Sequence, residues 1–221
     1  MLDRIRHVPR NAALLVSLLL LIVASPSVPA DGSGLLFELV FDAILLAGVY
    51  SVGPGSHRRP FWVLTIVTLG IRWGEHLSGV ANLDVGALFI TVIWLTYAVS
   101  IIIAHLFQRR DVTVDTILGA MVAYLMVAVA FTLVFEIMEL RHPGSFSGLP
   151  DSAATYRTEL AASMMYFSLV CITTMGYGDI VPVSDLARPL SVLEGVFGQL
   201  YLAVMIARLV GLHIARSRDT E

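Results

Sequence analysis

Residues 171–182 read C-I-T-T-M-G-Y-G-D-I-V-P. Gly176 and Gly178 flank Tyr177, and glycine admits backbone angles that residues with side chains resist. The apolar stretch Leu160–Thr174 that leads into them is too short to cross a bilayer, which takes about 20 mostly apolar residues. Non-helical backbone at membrane depth persists only where protein buries it or where it lines a watery cavity. A short helix, then an extended Thr174–Gly178, then Asp179 and Pro182, therefore reads as a re-entrant loop. Four copies around an axis would present rings of carbonyl oxygens, and such rings can replace the water shell of a cation.

The rest of the chain fits a membrane setting. Of 221 residues, 57% are hydrophobic and 14% charged, against about 25% charged in a soluble domain. Disorder, a nucleic-acid module and an ordinary cytosolic enzyme are excluded on that balance. All 14 basic residues are arginine. A single cysteine, Cys171, excludes a disulfide within the chain and a multi-cysteine metal site. The 6 histidines show no ligand spacing, and no cofactor is expected.

Five runs reach or approach spanning length: Leu35–Val52, Phe61–Leu77, Val85–Phe107, Val114–Leu140 and Leu190–His213. Ala12–Ala24 is a shorter sixth, ending against Pro26 and Pro29. Cytoplasmic segments collect arginine. Arg4, Arg6, Arg10, Arg58, Arg59, Arg109, Arg110, Arg208, Arg216 and Arg218 all fall on one side of a six-span arrangement, leaving Arg72, Arg141, Arg157 and Arg188 for the other. Both termini are then cytoplasmic, in the inner (plasma) membrane. The first span also fits a cleaved signal peptide ending near Val28-Pro29-Ala30, the basic-then-apolar pattern being shared; the later spans keep their orientation either way.

With Thr174-Met175-Gly176-Tyr177-Gly178-Asp179 in place, the sequence resembles the tetrameric P-loop potassium channels. The likeness takes in the aromatic pair Tyr166-Phe167, Gly198 at 19 residues after Asp179, and G-Q-L-Y-L-A-V-M-I-A-R-L-V-G at 198–211. It is most similar to small bacterial six-span members. The fold so implied is an all-α integral membrane protein, a homotetramer of six-helix subunits in the lipid bilayer. Residues 1–110 would form a four-helix membrane domain. Residues 111–221 would form the pore: outer helix 113–140, turret 141–158, pore helix 159–173, filter 174–179 and inner helix 188–215.

The resemblance implies roles. Thr174, Met175, Gly176 and Tyr177 would offer carbonyls to permeant K+, with Gly178 completing the filter and the Thr174 hydroxyl forming the innermost ring. Asp179 would brace the outer mouth through the Tyr166 hydroxyl, with Phe167 beside it. Gly198 would be the hinge, and Gln199, Leu202, Ile206 and Val210 would line the cavity, their spacing of three and four giving one helical face. Met175 stands where the family keeps Val or Ile, so filter rigidity can differ. Val170 stands where some members have a glutamate paired with the filter aspartate.

Other residues are read directly. Glu194 is an ionisable group inside a span, by default a functional candidate: a pH-gating group or a hydrogen bond behind the pore helix. The fourth span has no arginine, its one basic candidate being His105, whereas steep voltage dependence takes several charges per subunit. At about 1.5 Å per residue, Asp42 and Arg72 reach equal depth, as do Glu38 and His76; Glu75 lies beside the latter. Buried charges need partners, so an Asp42–Arg72 pair is expected. Thr113 or Asp111 is placed to cap the fifth helix. No regulatory domain follows Gly211 within these residues.

Two rivals belong to other readings. Gly176-Tyr177-Gly178-Asp179 also spells G-x-G-D, the signature of intramembrane aspartyl proteases, which need a second aspartate; Asp42 and Asp115 are the candidates. Pro182, Thr173-Thr174 and the aromatics speak against it. A filter deformed at Met175 would pass Na+ with K+. A carrier would show paired broken helices in matching halves, and none is seen.

Overall fold

The computed structural model describes residues 10–24, 35–52, 58–78, 81–108, 111–154 and 157–218. Helix α1 covers Arg10–Ala24, α2 Leu35–Val52, α3 Arg58–Ser78 and α4 Ala81–Gln108. The second half carries α5 (Val114–Arg141), β1 (Phe146–Ser147), α6 (Arg157–Ile172), β2 (Val181–Pro182) and α7 (Ala187–Arg218). Three helices among the described residues are long and apolar enough to cross a membrane: Val85–Gln108, Val114–Arg141 and Ala187–Leu212. Helix α6, with 16 residues, is not. Among the described residues the molecule is all-helical apart from one two-residue antiparallel pairing, Phe146 with Pro182 and Ser147 with Val181, which ties the 141–158 segment to the stretch after Asp179.

Local chemistry fixes the ends of α5. Thr113 is its N-cap: the Thr113 side chain accepts from the Thr116 N–H at 3.2 Å and the Thr116 hydroxyl accepts from the Thr113 N–H at 3.4 Å. These satisfy two donors that a helix start leaves open. Asp111 therefore stands outside the cap. At the far end Pro143 and Gly144 follow; proline offers no N–H to continue the helix, and Gly144 turns at φ 87°.

The α1–α4 bundle packs on the α5 of its own chain, with α4 and α1 both against it. The Asn11 backbone N–H donates to Asp115 Oδ1 at 3.2 Å and its side-chain amide to the Asp115 carbonyl at 3.0 Å, fastening α1 to the first turn of α5. Asp42 of α2 accepts from Trp73 Nε1 at 2.9 Å, and Arg72 Nε lies 3.8 Å from its other oxygen. The Arg72 guanidinium sits 4.5 Å over the Phe41 ring, a cation–π contact. Trp73 was not foreseen as a partner. The side chains of Glu38, Glu75 and His76 lie outside the described residues, as do Arg4, Arg6, Arg109, Arg110 and the segment 25–34 that bears on a cleavage site.

The bundle core closes around Trp94, fully buried, whose Nε1 donates to Thr65 Oγ1 at 2.8 Å. Phe61 packs on it at 5.0 Å between centroids. Gly48 of α2 passes so close that an added Cβ would lie 2.5 Å from the Trp94 ring. Alanine there gains about 1 kcal/mol of helix propensity but overpacks a pinned indole at about 1–3 kcal/mol. Gly48→Ala should therefore lower the thermal midpoint of the detergent-solubilised protein, and a raised midpoint would show that the indole yields.

Candidate functional site

Helix α6 dips between α5 and α7, burying Met164, Met165, Phe167, Ser168 and Ile172. Its end is a double closure: the Thr174 N–H bonds the Cys171 carbonyl and the Met175 N–H bonds the Val170 carbonyl, both at 3.0 Å. This is the pairing of a Schellman stop, which places the first residue past the helix in the left-handed region. That residue is normally glycine. Here it is Thr174, at φ 58°, and a β-branched side chain in that region is a genuine outlier costing on the order of 1–3 kcal/mol.

The same handedness returns at every second residue. Gly176 has φ 60° and Gly178 φ 78°, while Met175 and Tyr177 between them keep negative φ. A β-strand points its carbonyls alternately left and right; a positive φ at every second residue departs from that pattern. Among the described residues no hydrogen bond reaches the carbonyls of residues 174–178. Residues 173–179 are all exposed in the single chain, Met175 and Tyr177 at 60% and 65%. The segment is thus a row of unsatisfied acceptors that its own chain does not cover. At Gly176 and Gly178 an added Cβ would meet nothing within 4 Å, so the demand for glycine there is one of angle and not of space.

The segment is held from both ends. At its outer end the Tyr166 hydroxyl donates to Asp179 Oδ2 at 2.7 Å and the Ile180 N–H to Oδ1 at 3.0 Å. The Tyr166 and Tyr177 rings stack at 6.4 Å and 7°. Phe167 faces away from these, into a triangle with Phe135 and Phe146 at 5.2 Å from each, which anchors the turret strand to α5 and α6. Glu139 accepts from the Gly144 N–H at 2.7 Å and the Phe146 N–H at 3.0 Å, shaping the turret. Gly148 packs directly on the Asp179 carbonyl, with no room for a Cβ.

At the inner end Gln199 Nε2 donates to Thr174 Oγ1 at 3.2 Å. The Ile172 carbonyl accepts from the Tyr124 hydroxyl at 2.9 Å and presses on Gly198, where an added Cβ would lie 2.3 Å away. Gly198 thus sits inside an unbroken α7, and the property it shows is close backbone approach to the end of α6. Tyr201 packs against Tyr124 with ring centroids 5.8 Å apart and donates to the Ala120 carbonyl at 2.8 Å. Sequence reasoning missed Tyr124, Tyr201, Ser168 and Gly148; hydroxyls in the middle of apolar helices, which need acceptors there, were the available signal for the first three. Leu202, Ile206 and Val210 are exposed along one face of α7, at 40%, 61% and 52%.

The protease dyad does not form with Asp115. Asp115 opens α5 while Asp179 lies beside the turret beyond its end, and 28 residues at about 1.5 Å each span about 42 Å. Asp42 is engaged by Trp73 and Arg72 in α3.

Residues 112–213 match the family model described as an ion channel, Ion_trans_2, which covers α5 through most of α7 and supports an ion channel. A protein named LctB from Bacillus caldotenax is 28% identical over 87 residues, 39% of this chain and 64% of that protein, so the chain spans just under two thirds of its length. The LctB protein of Geobacillus stearothermophilus is 24% identical over 121 residues, 55% of this chain and 90% of the relative. No solved structure matches the chain.

Two expectations follow from the ends of the segment. The Tyr166 hydroxyl beside Asp179 holds its carboxyl below the ordinary carboxylate range. A group with a depressed folded-state value contributes above its unfolded value, and the contribution is lost as pH falls through the folded one. Tyr166→Phe should then shift the acid loss of ion flux to higher pH, read as flux against external pH; an unmoved profile would show that Asp179 is held otherwise. Gly198→Ala should collapse flux and lower the thermal midpoint, because its neighbour is a backbone carbonyl that cannot turn aside. Wild-type values in that variant would mean α7 stands further off.

Proposed function

We propose that the chain is one subunit of a potassium-selective channel in which four copies surround a shared pore in the plasma membrane. The observation that carries this reading is the alternating sign of φ along Thr174, Met175, Gly176, Tyr177 and Gly178, with carbonyls that no donor among the described residues satisfies. A carbonyl left unpaired in a dry environment costs several kcal/mol, on the order of a lost hydrogen bond or more. A dehydrated monovalent cation on the axis supplies what is missing, and rings of carbonyls replace its water. One subunit gives one quarter of each ring, so the reading requires a homotetramer.

The ion path runs from the outer mouth at Asp179, past the carbonyls of Tyr177, Gly176, Met175 and Thr174, to the Thr174 hydroxyl and then the cavity face of Gln199, Leu202, Ile206 and Val210. Apolar rings at Ile206 and Val210 would gate by convergence or dewetting. The process is passive, with no covalent step and no cofactor beyond the permeant ion. Helix α4 carries no arginine, and His105, its one basic residue in the last turn, bonds its own helix at the Ile101 carbonyl, 2.9 Å away. The α1–α4 bundle is therefore assigned a packing role on α5 and not conventional voltage sensing. Six spans with both termini cytoplasmic follow from the arginine distribution.

Met175 favours one second reading. Its side chain is longer than Val or Ile and loosely ordered by nature, and a slack filter passes sodium as well. Flux through the purified protein in liposomes separates the two. The expected result is flux under a potassium gradient, little under sodium, block by barium, and loss in Gly178→Ala. Alanine in that left-handed position costs roughly 1–2 kcal/mol per subunit, repeated around the ring. Equal potassium and sodium flux would establish the non-selective pore, and flux unchanged in Gly178→Ala would remove the filter from this segment.

A further inference from the structure

Behind the 174–178 segment lies an acid that the ion path does not use. Glu194 of α7 is fully buried within a single chain, one helical turn before Gly198. Its Oε1 meets Ser168 Oγ of α6, and Ser168 Oγ lies 2.7 Å from the Ala128 carbonyl of α5. Its Oε2 is buried and has no hydrogen-bond partner among the described residues. The titratable groups facing it are Tyr124 of α5 and Cys171 of α6. The ion pair found among the described residues, Asp42–Arg72, belongs to the α2–α3 contact, so among the described residues no salt bridge offsets Glu194.

Counting protons decides what this acid is. Ser168 has one hydroxyl proton and two oxygen neighbours. The Ala128 carbonyl has no proton to give, and Thr132 Oγ1, 2.9 Å away, is a second donor to it. Two oxygens at 2.7 Å with nothing between them repel, so the Ser168 proton lies toward Ala128. The contact between Ser168 and Glu194 then takes its proton from the carboxyl. A bare carboxylate at this site would be a fully buried, uncompensated charge, which costs far more than a neutral acid.

We infer that Glu194 is held as a neutral carboxylic acid that donates to Ser168, which donates to Ala128, forming a staple across the inner, pore and outer helices behind the filter. Glu194 touches no ion in this arrangement. It is a positioning residue, acting through α6, whose Val170 and Cys171 carbonyls close the turn into Thr174. The staple stands on geometry alone; only its flux readout rests on the channel reading.

The test uses the full chain in liposomes at neutral pH. An infrared difference spectrum, wild type minus Glu194→Gln, should contain the C=O stretch of a protonated carboxyl that moves on deuterium exchange. Loss of ionised-carboxylate bands instead would overturn the assignment. Potassium flux supplies the second arm. Glu194→Gln, whose amide still donates to Ser168, should keep flux within about twofold, whereas Glu194→Ala should lose roughly tenfold, the ratio that goes with one buried hydrogen bond. Equal loss in both variants would overturn the staple. Should Glu194→Ala not fold, the infrared band and the glutamine variant still decide. Absence of flux in the wild type would count against the channel reading and leave the infrared result to judge the proton.

Discussion

The second half of this chain is organised around one constraint: five consecutive residues carry carbonyls that no donor among the described residues reaches, in a chain with helices long and apolar enough to cross a membrane. Such backbone is costly unless protein or water satisfies it. The chain does not remove the cost. It holds the segment through a positive φ at every second residue beginning at Thr174, and leaves it exposed on the single chain. The strained threonine is where the helix stop and the carbonyl row share a residue: Thr174 is at once the left-handed end of α6 and the first member of the row. Glycine would relieve the strain and remove the hydroxyl that Gln199 reaches at 3.2 Å.

Two sets of contacts keep that geometry from relaxing. The outer set runs from the Phe135–Phe146–Phe167 triangle through the turret pairing to Asp179, so the aromatic core of the turret and the Tyr166 brace on Asp179 form one unit. The inner set is hydroxyl chemistry in an apolar setting: Tyr124 on the Ile172 carbonyl, Tyr201 on Ala120, and Ser168 between Ala128 and Glu194. Gly198 lets α7 come close enough for the second set to exist. The α1–α4 bundle then packs on α5 from outside. Arg208 of α7 donates to the Phe107 carbonyl at 2.8 Å, and an arginine on the last carbonyls of a helix is a favourable cap, so the lower end of α7 also touches the end of α4.

Much of this was legible in the sequence because its signals are local. Helix positions followed from apolar run lengths, and α2 begins and ends at Leu35 and Val52, as its run does. The turn out of α6 into an extended segment followed from two glycines after a helix too short to span. Depth counting put Asp42 beside Arg72. What was not legible depends on how helices approach one another. Trp73, next in sequence to Arg72, makes the 2.9 Å bond to Asp42, and only the rotation of α3 reveals it. Gly198 reads as a hinge by position, and in the structure it also lets α7 approach the Ile172 carbonyl closely. Gly148 carries no motif and is forced only by the Asp179 backbone against it. The handedness of Thr174 is invisible in sequence, since threonine there contradicts every local preference.

The central claim is that these carbonyls form successive cation sites shared by four subunits. Anomalous scattering from crystals of the full-length protein grown with thallium in place of potassium tests it most directly. The account predicts a column of peaks on a four-fold axis, level with the carbonyls of Thr174, Met175, Gly176 and Tyr177, that disappears when sodium replaces thallium. Four-fold assembly with no peaks at that level, or thallium bound away from these carbonyls, would contradict it.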